Sequence, residues 1–142
     1  MDEEVKREII LEHYQNPLNK GLIEDDSYIH VNMNNESCID EINLMVKVEN
    51  DKIVDIKFDG EACAISTSAT SIMIETLLGK TIEEVEKIYE SYTNMLDGEE
   101  YDSDILGSAV VYDDVSKQPS RIKCALLPWW GIKKILEKLK KY

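Results

Sequence analysis

Polar and apolar residues alternate most cleanly between residues 41 and 58. Ile42, Leu44, Val46 and Val48 interleave with Glu41, Asn43, Lys47 and Glu49, and Met45 adds one apolar residue to the outer side. Asn50-Asp51 is a tight-turn pair, after which Val54, Ile56 and Phe58 interleave with Asp55 and Lys57. A period of two with one apolar face, interrupted by a turn, predicts a β-hairpin with one buried side. Counting back from the turn pairs Glu41 with Gly60, and Gly60 is expected to break the second strand. Residues 26–33 alternate more weakly and read as an edge strand.

Elsewhere the spacing is helical. Val5, Ile9 and Ile10 recur at helical intervals over residues 3–14, and Pro17 closes that segment. Residues 64–78 form a helix that opens with small side chains (Ala64, Ser66, Thr67, Ser68, Ala69), which allow close approach to a neighbour. Gly79 suits its C′ position. Thr81 and Glu84 make a capping box for a helix running to about residue 92. An acidic loop over 95–104 precedes a further helix over 104–114. Pro119 fits an early helical position. Pro128 has no N–H and crowds the carbonyl of Cys124 four residues back, so it either kinks this helix or begins another. Ile132, Ile135, Leu136 and Leu139 form an apolar stripe after it, with lysines at the helix end, where cations suit the helix dipole. Trp129 and Trp130 read as core. The elements sum to an α+β fold: a small antiparallel sheet of about three strands packed against several helices, in a single domain over residues 1–142.

Charge narrows the function. Acids outnumber bases 29 to 16, for a net charge of -13. Such a polyanion repels nucleic acid and anionic membranes and favours a basic partner or a cation. No apolar run reaches membrane-spanning length. The charged first eleven residues lack a signal-peptide core, so the chain is expected in the cytoplasm.

Three cysteines cannot pair completely, and a reducing compartment would not keep a disulfide framework. Their placement is informative. Cys38 and Asp40 stand just before the hairpin and Cys63 just after it. In an antiparallel hairpin those two places lie at the same end. Cys63 also falls near a helix N-terminus, which favours a thiolate. This geometry does not place Cys124, although a helix carrying Arg121 and Cys124 one turn apart could close the same end. Three thiols and one carboxylate can complete a tetrahedral metal site. Zinc suits that donor set. Iron–sulfur clusters usually want four thiolates, and a carboxylate in place of one points to a labile or reactive site. Thiolates can also take sulfur from a persulfide. The alternative, cysteines buried as small hydrophobes, stays open on these residues alone. His13 and His30 read as packed or capped side chains, not ligands.

The Asn16-Pro17-Leu18-Asn19-Lys20-Gly21 loop, Cys38-Ile39-Asp40, Glu61-Ala62-Cys63-Ala64-Ile65-Ser66, and the run from Ser116 to Ala125 together resemble the IscU/NifU N-terminal family of iron–sulfur cluster assembly proteins. They most resemble its SufU branch, which carries an insertion between the second and third cysteines, here around residues 95–113. That branch also has lysine before the third cysteine, here Lys123, where scaffold members have histidine. The resemblance implies an IscU/SufU-like fold and a zinc ion held by Cys38, Asp40, Cys63 and Cys124. It implies a sulfurtransferase-like partner of a pyridoxal-phosphate-dependent (SufS-like) cysteine desulfurase. Cys38 would be the sulfur acceptor, freed when the desulfurase donates a histidine to zinc, and Arg121 would steer the partner or the thiolate. Sulfur would pass to a downstream cluster scaffold or apo-acceptor protein. Two alternatives accompany this reading: a scaffold that assembles a 2Fe-2S cluster or binds iron on the same residues, and a structural zinc domain for protein binding. Ile39 and Ala62 stand where the family usually has glycine, and a β-branched Ile39 resists positive φ.

Overall fold

A computed structural model describes residues 1–34 and 40–140 of the chain. Helix α1 (Glu3–Gln15) leads to strands β1 (Ile29–Asn34), β2 (Glu41–Glu49) and β3 (Lys52–Glu61), then to helices α2 (Ala64–Leu77) and α3 (Ile82–Leu96). Two 3-10 segments, Ser103–Ile105 and Gly107–Lys117, precede helix α4 (Pro119–Leu139). The strands form one antiparallel sheet in the order β1-β2-β3, so the expected edge strand is β1, starting three residues later than its alternation suggested.

The hairpin follows its pattern with one displacement. Glu49 pairs with Lys52 and Val48 with Ile53, but Lys47 pairs with Asp55, leaving Val54 as the extra residue of a bulge. Val54 therefore turns outward, 45% exposed, and Ile53 takes the inward place beside Ile56 and Phe58. The bulge also carries every later pair along by one: Glu41 faces Glu61, not Gly60. Nor does Gly60 end the strand. It sits inside β3 at φ +140°, where a Cβ would lie 2.0 Å from the Glu41 carbonyl oxygen. Glycine is needed there for both its backbone angle and its lack of bulk.

The inward face of the sheet (Val31, Met33, Ile42, Leu44, Val46, Ile53, Ile56, Phe58) joins the apolar sides of the helices in a common core. Helix α4 crosses this face closely at Gly131, where a Cβ would meet Leu44 Cδ1 at 2.5 Å. Helix α2 is buried on nearly every side, and its small residues Ser66, Ser68, Ala69, Thr70 and Ser71 all lie in the interior, as a helix with close neighbours on several sides requires. Trp129 stacks on Tyr92 at 4.1 Å between ring centroids, and Tyr112 meets Tyr92 edge-on at 6.5 Å. These rings tie α3, α4 and the second 3-10 segment together.

Both sheet edges are covered. Gly21 N–H donates to Phe58 and Ile53 N–H to Lys80 along β3. Along β1, Lys134 Nζ and Lys138 Nζ donate to the carbonyls of Asn32 and His30, a use of the α4 lysines beyond the helix dipole. The capping box at Thr81 and Glu84 is present, and α3 runs to Leu96, four residues past its expected end. The helix expected over 104–114 is instead a tighter 3-10 arm, Gly107–Lys117, with Ala109, Val111, Tyr112 and Val115 turned inward. Lys6 of α1 holds this arm: its Nζ lies 2.6 Å from Asp113 Oδ1 and 3.0 Å from Asp114 Oδ2.

Candidate metal centre

Three elements converge at one end of the hairpin. Asp40 immediately precedes β2, and Cys63 follows β3 by two residues. Because Glu41 faces Glu61, the backbone just beyond each strand end meets across the gap: Cys63 N–H donates to Asp40 Oδ1 at 2.7 Å. The bulge at Val54 therefore brings Asp40 into step with Cys63. Cys63 is the N-cap of α2, and its Sγ accepts from Ser66 N–H at 3.4 Å. A sulfur at that position faces unsatisfied helix N–H groups, which favour negative charge.

Cys124 reaches the site from α4. Pro128 neither starts a second helix nor stops the first; it is a buried interior residue of one helix, Pro119–Leu139. Lacking an N–H, it cannot bond the Cys124 carbonyl four residues back. That carbonyl oxygen lies 3.0 Å from Ser66 Oγ. The next carbonyl, of Ala125, accepts from Tyr92 O–H at 2.8 Å. Hydroxyls from α2 and α3 thus hold consecutive carbonyls of the proline turn and fix the side of α4 that bears Cys124.

A carboxylate oxygen of Asp40, Cys63 Sγ and Cys124 Sγ all lie within 4.8 Å of one another. Asp40 is buried at 2% exposure, Cys63 is exposed and Cys124 lies between. A carboxylate this buried costs several kcal/mol unless hydrogen bonds or a cation compensate. Cys63 N–H and Ser66 Oγ, 2.9 Å from Asp40 Oδ2, supply hydrogen bonds. Two sulfurs and one oxygen within this span suit a tetrahedral ion of zinc's preferences.

Three of the four residues expected to bind metal are brought together. The fourth, Cys38, lies outside the described residues, as does Ile39. Ala62 adopts no positive φ; the left-handed-side backbone falls two residues earlier, at Gly60. Arg121 is exposed one turn before Cys124 and borders a cleft of about 240 Å³ that Arg7, Ile65 and Tyr112 also line. The Tyr112 phenol is pushed up by burial, partly countered by its hydrogen bond with Ser68 and reinforced by the nearby Cys63. His13 is no part of the site: its Nδ1 bonds Ser71 Oγ at 2.7 Å. His30 is exposed on β1. Sequence reasoning missed Ser66. Its only signals are a hydroxyl three residues after Cys63, where a helix N-cap meets its N3 residue, and a proline four residues after Cys124.

Comparison with known proteins now bears on this geometry. The family model described as the NifU-like N terminal domain matches residues 5–125. The chain belongs to that family. It is 43% identical over 129 residues to the zinc-dependent sulfurtransferase SufU of Bacillus subtilis, covering 90% of this chain and 86% of that protein. It is 34% identical over 132 residues to the iron–sulfur cluster assembly scaffold protein IscU of Thermotoga maritima, covering 93% and 92%. The fold superposes with TM-score 0.82 on the crystal structure of a SufU from Fervidobacterium islandicum, described as a cluster assembly scaffold for the SUF system, at 39% identity and 92% coverage of each chain. The family match ends at Ala125, one residue past Cys124, so it contains every candidate ligand but not Pro128.

Proposed function

We propose that this protein serves iron–sulfur cluster assembly as a zinc-dependent sulfur acceptor, taking persulfide sulfur from a cysteine desulfurase. The observation that carries this is the convergence of Asp40, Cys63 and Cys124 within 4.8 Å at the end of the hairpin. A zinc ion bound there would keep the cysteines as thiolates near neutral pH. Asp40, Cys63 and Cys124 would hold it, with Cys38 as the fourth, exchangeable ligand.

The chemistry assigned to the chain itself is a thiolate exchange. The Cys38 thiolate attacks the terminal sulfur of the donor's persulfide. The donor's sulfur–sulfur bond breaks, a new one forms on Cys38, and the donor cysteine leaves as its thiolate. Electrons balance without an external oxidant or reductant. Asp40 contributes position, because its two oxygens are already oriented by Cys63 N–H and Ser66. Arg121, exposed beside Cys124, supplies positive charge in a strongly acidic chain, where it can meet a partner's carboxylate or the anionic persulfide.

A second reading, assembly of a 2Fe-2S cluster on the same residues, is favoured by the 34% identity to a relative named as a scaffold. The exposed Lys123 beside Cys124 favours the first reading, because an ammonium cannot ligate metal at neutral pH. Elemental analysis of the purified protein, paired with alanine release by a cysteine desulfurase, decides between them. About one zinc per chain and stimulation abolished by Cys38→Ala support the sulfur-acceptor reading. Iron with a visible chromophore that transfers intact to an apo-ferredoxin supports the scaffold. Unchanged desulfurase turnover with the wild-type protein refutes the first reading.

A further inference from the structure

The first ligands are set by strand ends and a helix N-terminus, but Cys124 comes from a helix that joins the site only through tertiary contact. One side chain touches all three components. Ser66 is fully buried. Its Oγ lies 2.9 Å from Asp40 Oδ2, 3.0 Å from the Cys124 carbonyl oxygen and 3.6 Å from Cys63 Sγ. Its N–H points at the same sulfur.

The hydroxyl has a single proton, with a carboxylate and a carbonyl as its two acceptors. In an uninterrupted helix the N–H of residue 128 would serve the Cys124 carbonyl. Proline at 128 removes that competitor, and the Cys124 carbonyl oxygen lies within hydrogen-bond distance of Ser66 Oγ.

We propose that Ser66 is a positioning residue that couples the Asp40 carboxylate to the α4 backbone at Cys124, and that Pro128 directs that carbonyl to it. This rests on reading Asp40, Cys63 and Cys124 as the metal site. The coupling makes the separation of an oxygen ligand and a sulfur ligand depend on one hydroxyl. Partners of this kind, outside the ligand shell, typically govern metal affinity by 10- to 100-fold. It also gives Pro128 a role in the site, although it lies beyond the part of the chain matched by the family model.

The test uses four full-length proteins: wild type, Ser66→Ala, Pro128→Ala and the double variant, with Ser66→Thr as the hydroxyl-retaining control. Zinc affinity is read by competition with a chromophoric chelator, and ligand geometry by the visible spectrum of the cobalt-substituted protein. Metal-free melting temperature is read for all five. Ser66→Ala is expected to weaken zinc binding about 10- to 100-fold and to shift the cobalt bands. Ser66→Thr is expected to retain most of the affinity. In the Pro128→Ala background the helix offers its own N–H to the Cys124 carbonyl, so Ser66→Ala is expected to lower the metal-free Tm by less than it does alone. Equal zinc affinity and cobalt spectra for wild type and Ser66→Ala overturn the proposal. So do equal Tm losses from Ser66→Ala in the two backgrounds. A wild-type chain that takes up neither zinc nor cobalt refutes the proposed function instead, and the Tm comparison then decides the Ser66–Pro128 coupling by itself.

Discussion

Gly60→Ala probes how the hairpin fixes the site. At Gly60 the backbone has φ +140°, and a Cβ would sit 2.0 Å from the Glu41 carbonyl oxygen and 2.9 Å from its carbon. Real Cβ atoms do not come that close to backbone, so β2 and β3 must part at the pair that flanks Asp40. Holding an L residue at that φ costs about 1–3 kcal/mol, and overpacking against a neighbour adds about 1–3 kcal/mol. The total, about 2–6 kcal/mol, is a large fraction of a typical folding stability of about 5–15 kcal/mol. Thermal unfolding should fall by about 6–24 °C, since 1 kcal/mol corresponds to roughly 3–4 °C at this chain length. Gly79→Ala is the control. Gly79 also has positive φ, +81°, but nothing lies within 4 Å of its Cβ position. It should lose only the conformational part, about 1–2 kcal/mol. Calorimetry gives the Tm values, and chelator competition gives zinc affinity for the same proteins. Gly60→Ala is expected to weaken zinc binding while Gly79→Ala leaves it unchanged. If the two variants lose the same Tm and bind zinc alike, the Glu41–Gly60 contact does not set the position of Asp40.

Two further outcomes follow from the same reading. Gly131→Ala places a methyl 2.5 Å from Leu44 Cδ1 and should destabilise by about 1–3 kcal/mol in urea melts, less than Gly60→Ala because a side chain can yield where backbone cannot. The Lys6 clamp carries a pH signature. The hydrogen bond to Asp113 raises the Lys6 ammonium above its ordinary value, so its contribution is full below about pH 10.5 and declines at higher pH. Asp114 is held below its ordinary value, first by Glu3 and then by Lys6, so its contribution is present above pH 3.8 and is lost as pH falls below that. Lys6→Met should therefore speed proteolysis of the Gly107–Lys117 arm at pH 7 and change it less at pH 3, and an equal effect at both would refute the clamp.

Much of the fold was legible in the sequence because its signals are local. The alternation from Ile42 to Phe58, the Asn50-Asp51 turn, the Thr81–Glu84 capping box and Gly79 each declare themselves within a few residues. The bulge at Val54 was not legible, because Val54 and Ile53 are both apolar and alternation alone favours whichever keeps the count regular. Burial of Ile53 against the helices overrides that count. Gly60 reads as a breaker on sequence alone, because a glycine in a strand looks the same whether it ends pairing or allows unusually close pairing. The 3-10 arm reads as an α-helix on sequence alone, because its inward residues are spaced acceptably for either. On sequence alone Pro128 fits either a kink or a second helix start, and its burial decides for a continuous helix.

The site divides along the same line. Asp40 and Cys63 could be brought together by hairpin geometry alone, since both lie within three residues of paired strand ends. A one-residue register error leaves both residues at the correct end of the hairpin. The hydrogen bond from Cys63 N–H to Asp40 does not tolerate it: with Glu41 opposite Gly60, the backbone at Cys63 would lie one residue further from Asp40. A bulge at the far end of the hairpin therefore controls the alignment of Asp40 with Cys63 at this end. Cys124 had no such local rule, and its placement depends on the aromatic contacts of α4 and the carbonyls exposed by Pro128. Asp40 and Cys63 are consequently placed by sheet register and Cys124 by helix docking, and Ser66 bonds both sides.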